Sequence, residues 1–375
     1  MRKFTLENYE DSLAMQVVFM DQAVCYCPEY RATRKLHDYP SRKTQLARAV
    51  FKSELEGNEY ISKILFNSIL SGQGERWQNF GESPEDFTDV LILSREMMVK
   101  KGFEKKTTEE LTKILADNQT HLVKQTSDLN EKWKRSMPVS DKSSVYLMLD
   151  DATYAYCSES ADLLGEFFKR KQVSFYTEIC STFVGWEYFA YGLIEQGEIH
   201  IAKMIADLEL KGIDTIVTLS GQSQYVLDKF AKKLGLLHHF KIISVLDYCT
   251  ELRVTEPVYL YAGSFYARFL NMCDKLNRLV VNSTEVAMKE CAEFTPLMVA
   301  DKRINKVTVW QKPITSEYLL LGIDEHVSRF IEKDAISDIE KGSQKRTVIF
   351  DPHAYQVLKN VHPELDIVYY LDILD

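Results

Sequence analysis

The pattern of hydrophobic and polar positions changes near residue 145. Before that point, apolar residues recur every three or four positions, which is the spacing of a helix face that packs on a core. This spacing predicts helices at 46–55, 60–70, 89–101 and, as one long polar-rich helix, 107–129. Gly102 follows the third of these and suits a helix C-cap. A polar linker, 137–144, ends this helical region.

After residue 145, short runs rich in β-branched and aromatic residues alternate with amphipathic stretches. The runs predict strands at 144–149, 174–177, 215–218, 241–245, 258–261, 279–281, 306–310, 347–350 and 366–370. The stretches between them predict helices that include 158–170, 198–211 and 224–234, the last ending at Gly235. Such alternation is typical of an α/β fold, in which helices cover parallel or mixed sheets.

This second region also repeats itself. The pattern Glu-Tyr-x-x-x-Gly occurs at 187–192 and again at 317–322, and a Lys-Gly pair follows each copy, at 211–212 and 341–342. A predicted strand then runs into a tight turn that opens a helix, Ser220-Gly221-Gln222-Ser223 in one copy and Asp351-Pro352-His353-Ala354 in the other. The constant spacing favours a tandem duplication of one α/β lobe.

Composition narrows the classes of function. The chain has 375 residues, a formal net charge of −9 and 45% hydrophobic residues. The negative charge disfavours nucleic acid, because phosphate binding requires clustered Lys and Arg. No apolar run is long enough for a transmembrane segment, and the charged start of the chain is unlike a secretory signal. We therefore expect a cytoplasmic protein with reduced cysteines, and peripheral attachment to a membrane complex stays open.

A strand that runs into a turn at a helix start is where α/β sheets bind ligands. In one family this turn carries Cys-x-x-Cys, and the order of motifs along this chain resembles that family. It comprises the cysteine-rich, CCG-type iron–sulfur oxidoreductase subunits. Its members include the iron–sulfur subunit of glycolate oxidase, the heterodisulfide reductase subunit and the cysteine-rich subunit of anaerobic glycerol-3-phosphate dehydrogenase.

The N-terminal region resembles the family's double ferredoxin run, Cys-x2-Cys-x2-Cys-x3-Cys-Pro, in which four thiolates surround each cluster. Cys27-Pro28 matches the end of the first run, but its three earlier ligand positions hold Val17, Met20 and Ala23. The second run keeps its spacing and has lost every cysteine. Its four positions are Ser68, Ser71, Gly74 and Gln78.

The two lobes have lost their cysteines in the same way. The Cys-Cys-Gly motif of the first lobe corresponds to Phe183-Val184-Gly185, and the region around Lys312-Pro313 has no cysteine in the second. The Cys-x-x-Cys turns correspond to Ser220-x-x-Ser223 and Asp351-x-x-Ala354. The resemblance implies a degenerate helical ferredoxin-like domain at 1–140 and two α/β lobes related by duplication, at 141–255 and 256–375.

Each candidate site residue has a structural alternative. Cys25 and Cys27 are the weak metal-ligand candidates, whereas scattered cysteines are more often small buried apolar residues. A candidate pocket between the lobes would contain Gly185, Ser220, Ser223, Asp351 and His353. Ser and Asp at these turns are also favoured N-caps. His353 could serve in metal binding or proton transfer, but a lone histidine at such a turn is more often a surface or capping residue.

Three functions follow from these observations. The leading hypothesis is a non-catalytic structural or assembly subunit of a redox complex, without a cofactor, which binds a flavoprotein dehydrogenase or a cluster-bearing oxidoreductase subunit. The second is an electron-transfer subunit with an atypical iron–sulfur cluster built from dispersed cysteines. The third is a binding protein that takes a small ligand in the cleft between the lobes.

Overall fold

The computed structural model describes residues 3–19, 27–73, 86–280, 285–287, 303–305, 307, 311–317, 319–342 and 346–375. It confirms the α/β class, with two parallel sheets accompanied by many helices. The strands are β1 Val145–Asp150, β2 Ser181–Thr182, β3 Thr215–Thr218, β4 Lys241–Ser244, β5 Val258–Tyr261, β6 Glu285–Ala287, β7 Arg303–Asn305, β8 Arg346–Ile349 and β9 Asp366–Tyr369.

The helices before the first strand are α1 Glu10–Phe19, α2 Pro28–Thr33, α3 Pro40–Phe51, α4 Glu59–Phe66, α5 Asp86–Lys100, α6 Lys105–Asp117 and α7 Ser127–Ser136. Those that follow are α8 Asp151–Tyr156, α9 Ala161–Arg170, α10 Trp186–Ala190, α11 Ile194–Leu210, α12 Gly221–Tyr225, α13 Ala231–Leu234, α14 Cys273–Arg278, α15 Glu325–Gly342 and α16 Pro352–Val361. A π-helical turn, Val226–Phe230, joins α12 to α13, so the predicted helix at 224–234 is continuous and ends at Gly235.

The single long helix predicted at 107–129 is wrong. The chain forms α6 and α7 there, separated by a loop in which Gln119 and Thr120 have positive φ. Inside this loop, the Leu122 amide and the His121 ring both bind the Asp151 carboxylate at the start of α8. The helix therefore breaks because its polar middle contacts the first lobe, and Thr126 then caps α7.

The first sheet has the order β2-β1-β3-β4, and all its strands are parallel. The strand predicted at 174–177 is wrong, because Phe175 makes only an isolated bridge to Val139. Its ring is buried against Phe168, with 4.7 Å between ring centroids, so packing explains the apolar run. The short β2 pairs with β1 instead.

The second sheet has the order β5-β8-β9 and is also parallel, while β6 and β7 form a separate antiparallel pair. Of two further predicted strands, the one at 306–310 falls largely outside the described residues, and the one at 279–281 is wrong. In the run at 306–310 only Val307 is described, and it lies in a bend; β7 ends just before it. In the run at 279–281, Leu279 and Val280 lie outside any strand.

Two buried arginines join the helical region to the two sheets. Arg95 on α5 donates to the carbonyl oxygens of Leu65 (3.0 Å), Ser68 (2.7 Å) and Ala190 on α10, the last in the first lobe. Arg268 donates to the carbonyl of Ser71 (2.6 Å) and to that of Gln311 (2.7 Å). Since charged donors to backbone carbonyls are strong hydrogen bonds, these contacts fix the 68–71 loop between both lobes.

The carboxyl ends of the two sheets face each other. The Tyr370 hydroxyl, just after β9, donates to the Leu219 carbonyl just after β3. The Phe350 and Tyr370 rings stack with 5.1 Å between centroids, and Tyr266 is buried beside them. Aromatic side chains therefore fill much of the space between the lobes.

In the part of the chain that the structure describes, no helix combines the length and the apolar character needed to cross a bilayer.

Candidate functional site

Cys27 lies in a small buried cavity of about 20 Å³ together with Ser68 and Ser71. Cys27 immediately precedes α2, and the two serines lie in the loop after α4, which Arg95 and Arg268 hold. The other weak metal candidate, Cys25, lies outside the described residues, as do Met20, Ala23, Gly74 and Gln78. The structure thus unites the last position of the first run with the first two positions of the second.

Glu29 fills the centre of this region. Its Oε1 accepts hydrogen bonds from the Ser68 hydroxyl and the Ile69 amide, both at 2.9 Å, and its Oε2 accepts from the Cys27 thiol at 3.1 Å. Lys43 on α3 is buried on the opposite side, where its ammonium donates to the Asn67 carbonyl at 2.9 Å. The result is a buried polar network around Glu29, on which the positive charge of Lys43 acts.

The electrostatics of this network keep the carboxylate charged and the thiol neutral. Burial acts to raise the pKa of Glu29, but the Lys43 ammonium and the donated hydrogen bonds outweigh it, so this pKa lies below its ordinary value. Burial, and then the charge of Glu29, raise the pKa of Cys27 well above its ordinary value. Because the thiolate is the form that binds metals, Cys27 is a poor ligand in this setting.

The donor set here does not fit an iron–sulfur cluster. A [4Fe–4S] cube needs four ligands, usually thiolates, whereas the described lining of this cavity holds a single thiol, which is protonated, among hydroxyls, carboxylates, an amide and a buried ammonium. The cavity of about 20 Å³ has room for about one water molecule. Charged and polar side chains already take up the space beside Cys27.

The two strand-to-helix turns are helix caps. Ser220 accepts from the Ser223 amide at 3.3 Å to cap α12, and the two hydroxyls are 3.0 Å apart. Asp351 accepts from the Ala354 amide at 2.8 Å to cap α16, which begins at Pro352. Burial, followed by the nearby Glu317, raises the pKa of Asp351 well above its ordinary value.

Gly185 and His353 occupy different surroundings from these caps. Gly185 has φ +84 and lies against His200, whose Cδ2 would be 3.0 Å from an added Cβ. The His353 ring packs edge-on against Tyr156, with centroids 5.7 Å apart, and burial lowers its pKa to about 4. The five predicted pocket residues therefore make separate capping and packing contacts.

The repeated Glu-Tyr-x-x-x-Gly pattern marks two buried carboxylates that were not singled out as site residues. Glu317 accepts from the Tyr261 hydroxyl, the Ile314 amide (3.1 Å) and the Ser264 amide (2.7 Å). Glu187 has one long hydrogen bond, 3.3 Å from Gln222 Nε2, and its Oε2 has no partner among the described residues. Burial, with a contribution from Asp151, raises the pKa of Glu187 to about 7.

The sequence holds a signal for Glu29 and Lys43 as well. Lys43 precedes Ala47 and Val50 at helical spacing, so it lies on the buried face of α3. Glu29 follows Cys27-Pro28 directly. A charged residue on each of two buried faces predicts an electrostatic interaction, but only the fold shows that Lys43 acts on Glu29.

A surface group of potential ligands lies elsewhere. Glu340, His362 and Glu364 bring one ligand atom each within 4.8 Å of one another. The carboxylates are exposed and His362 Nδ1 already lies 3.0 Å from Glu364 Oε1.

Comparison of the chain with protein-family models, with curated proteins and with solved structures found no match.

Proposed function

We propose that this chain is a cluster-free relative of the CCG-type iron–sulfur oxidoreductase subunits and acts as a structural or assembly subunit of a cytoplasmic redox complex. One observation carries the proposal. Beside Cys27, where the family resemblance calls for a cluster, the protein has a buried Glu29 carboxylate that accepts hydrogen bonds from Cys27 and Ser68 and is stabilised by the charge of the buried Lys43.

The composition of the cavity supports the resemblance. In two-cluster ferredoxins, the fourth cysteine of one run binds the cluster of the other run. Cys27 holds that fourth position, and it lies with Ser68 and Ser71, the first two positions of the second run. The proposed relationship requires these positions to lie together, and it requires the ligands to have changed.

The two sheets support the proposed duplication. The order β1-β3-β4 matches β5-β8-β9, and in each sheet the first residues of the three strands are in register. The middle strand of each leads into a capped helix. Gly192 and Gly322, which end the repeated motif, both have positive φ, +73 and +71.

The packing of the first lobe supports a cluster-free state. Phe183 and Val184 stand where the family has adjacent cysteines, and both are buried in the main apolar core. Removal of a cluster would leave a cavity, and cavities are costly unless side chains refill them. A protein that keeps the scaffold but fills its cluster sites with side chains would act mainly by binding other proteins through its surface. We therefore propose that it binds a flavoprotein or a cluster-bearing oxidoreductase subunit.

The first test is the iron and acid-labile sulfide content of protein purified without oxygen. We expect essentially no iron, a colourless sample and no spectral change in Cys27→Ser. Several irons per chain with a reducible visible band that Cys27→Ser removes would overturn the cluster-free state.

The second test addresses the partner. Affinity purification of the full chain from its native cells, after mild cross-linking, should recover an oxidoreductase subunit that carries flavin or iron. A chain that elutes as a monomer from native lysate, with no such subunit cross-linked, would contradict the assembly role.

A further inference from the structure

A groove of about 460 Å³ lies between the N-terminal helices and the start of α15. The chain leaves α2 at Arg34, which has a left-handed conformation, and this directs the next residues into the groove. The groove is lined by Lys35, His37, Tyr60, Lys63, Asn67 and His326, among others. Its volume lies within the usual range for small-molecule sites, about 300–1,000 Å³.

One wall of the groove is an aromatic pair held in place from behind. The Tyr60 and His37 rings meet edge-on with centroids 5.8 Å apart, and the Tyr60 hydroxyl lies 3.4 Å from His37 Nδ1. On its other side, His37 Nε2 lies 3.6 Å from the buried Asp38 carboxylate, which also accepts from Thr33 at 2.7 Å. Tyr60 is nevertheless 64% exposed, so its ring is free to stack on a ligand.

Among the described residues, the lysines of the groove have no charged partner, whereas its two carboxylates accept hydrogen bonds. Lys35 and Lys63 make no ion pair with any described residue, and the His326 ring makes no hydrogen bond with one. Asp38 is engaged as above, and Asp324 accepts from the His326 amide at 2.9 Å to cap α15. In a chain of net charge −9, two ammonium groups beside one cavity with no ion pair to a described residue favour an anionic ligand, even with Asp38 and Asp324 in the same lining.

The kinds of side chain narrow the ligand further. Lysine binds phosphate as a point charge, whereas planar carboxylates are more often held by the two-pronged arginine side chain, which the described lining of this groove lacks. A phosphate monoester carries about −1.5 to −2 charges near neutral pH, which two lysines would neutralise. A flat ring would stack on Tyr60, as bases do on exposed aromatic side chains.

We propose that this groove binds a flat heteroaromatic phosphate monoester of the size of a nucleoside monophosphate. Lys35 and Lys63 bind the phosphate, and Tyr60, positioned through His37 and Asp38, stacks on the ring. This site adjoins the cavity beside Cys27, with which it shares Asp38, and does not depend on the assembly role.

Isothermal titration of the full chain with AMP, adenosine and inorganic phosphate tests the site. We expect AMP to bind more tightly than either fragment. Lys63→Ala should weaken AMP about tenfold and leave adenosine unchanged, because it removes one phosphate contact. Tyr60→Leu should weaken AMP and adenosine about tenfold and leave inorganic phosphate unchanged, because it removes stacking.

Lys113→Ala is the matched control, since this exposed lysine on α6 lies away from the groove. It should bind AMP as the unchanged chain does. Lys63 and Tyr60 are exposed, so we expect their variants to keep the same thermal midpoint. No binding of AMP at millimolar concentration, or equal AMP affinities for Lys63→Ala and Lys113→Ala, would overturn the proposal.

Discussion

The two lobes place the same motif residue in opposite situations. Glu317 of the second lobe is buried, and both of its oxygens accept hydrogen bonds, from one hydroxyl and two amides. Glu187 of the first lobe is equally buried, yet one of its oxygens has no partner among the described residues. A buried carboxylate stabilises a fold only when its acceptors are satisfied, so the repeated sequence does not imply a repeated energetic role.

The neighbours of each glutamate explain the difference. In the second lobe, the backbone amide of Ser264 and the hydroxyl of Tyr261, at the end of β5, point at Glu317. At the matching place in the first lobe stands Asp151, a second acid, which instead binds the 121–122 loop. Both glutamates therefore lie near another acid, Asp151 for Glu187 and Asp351 for Glu317, but only Glu317 has donors for both of its oxygens.

The largest expected effect is that of Glu317→Ala. This change removes three hydrogen bonds to a carboxylate and leaves the buried Ser264 amide without its acceptor, while the Ile314 amide keeps the Tyr261 hydroxyl and that hydroxyl keeps the Lys312 carbonyl. We expect it to lower the free energy of unfolding by about 3–5 kcal/mol. Glu187→Ala should cost clearly less, because only one long hydrogen bond is lost. Urea unfolding of both variants measures the comparison, and equal costs would show that the two carboxylates are equivalent.

For the glycines that end the motif, the larger loss of stability is expected in the first lobe, the opposite of the expectation for the glutamates. An added Cβ at Gly192 would lie 2.6 Å from the Glu96 backbone nitrogen, which is fixed within α5, whereas at Gly322 it would lie 3.2 Å from the Thr107 hydroxyl, which can rotate. We expect Gly192→Ala to cost about 3 kcal/mol, from left-handed strain plus overpacking, and Gly322→Ala about 1 kcal/mol. Thermal unfolding of both variants measures the two losses of stability. Equal losses would show that the chain relieves the contact between the added Cβ and the Glu96 backbone.

The pH dependence of stability should separate Glu187 from its counterpart. Its pKa is raised to about 7 by burial, so the folded state holds its proton through a range in which the unfolded state has lost it. The loss of folding stability caused by Glu187 is absent below the pKa of the unfolded state. It grows as the pH rises through about 7 and reaches about 3 kcal/mol. Glu187→Gln should therefore gain stability relative to the unchanged chain between pH 5 and pH 8, whereas a pH-independent difference would contradict the buried, partly protonated carboxyl.

The smallest effects should come from the two caps. Ser220→Ala removes the acceptor for the Ser223 amide and should cost about 1 kcal/mol. Asp351→Asn keeps an acceptor for the Ala354 amide and removes the carboxyl group. Because burial and Glu317 raise the pKa of that carboxyl group, its charge is unfavourable there, and we expect no loss of stability at neutral pH. Chemical denaturation of both variants provides the test, and a large loss in Asp351→Asn would show that the charge itself stabilises the turn.

The sequence alone determined those elements whose signal is local. The strands β1, β3, β5, β8 and β9 lie close to their predicted positions, because short β-rich runs bounded by turn residues need no distant contact to be recognised. The end of α13 at Gly235 was predicted for the same reason. The caps at Ser220 and Asp351 also follow from residue type and position at a helix start.

The tertiary structure alone decided what depends on residues far apart in the chain. The loop that splits the predicted helix at 107–129 exists because Asp151 binds it, and the apolar run around Phe175 serves packing against Phe168. The Glu29–Lys43 network likewise needs Ser68, which the chain brings back through α3 and α4. Periodicity in the sequence indicates only which face of an element is buried. Which side chains come together on that face depends on how the elements pack. Near Cys27, that packing places the Glu29 carboxylate and the Lys43 ammonium.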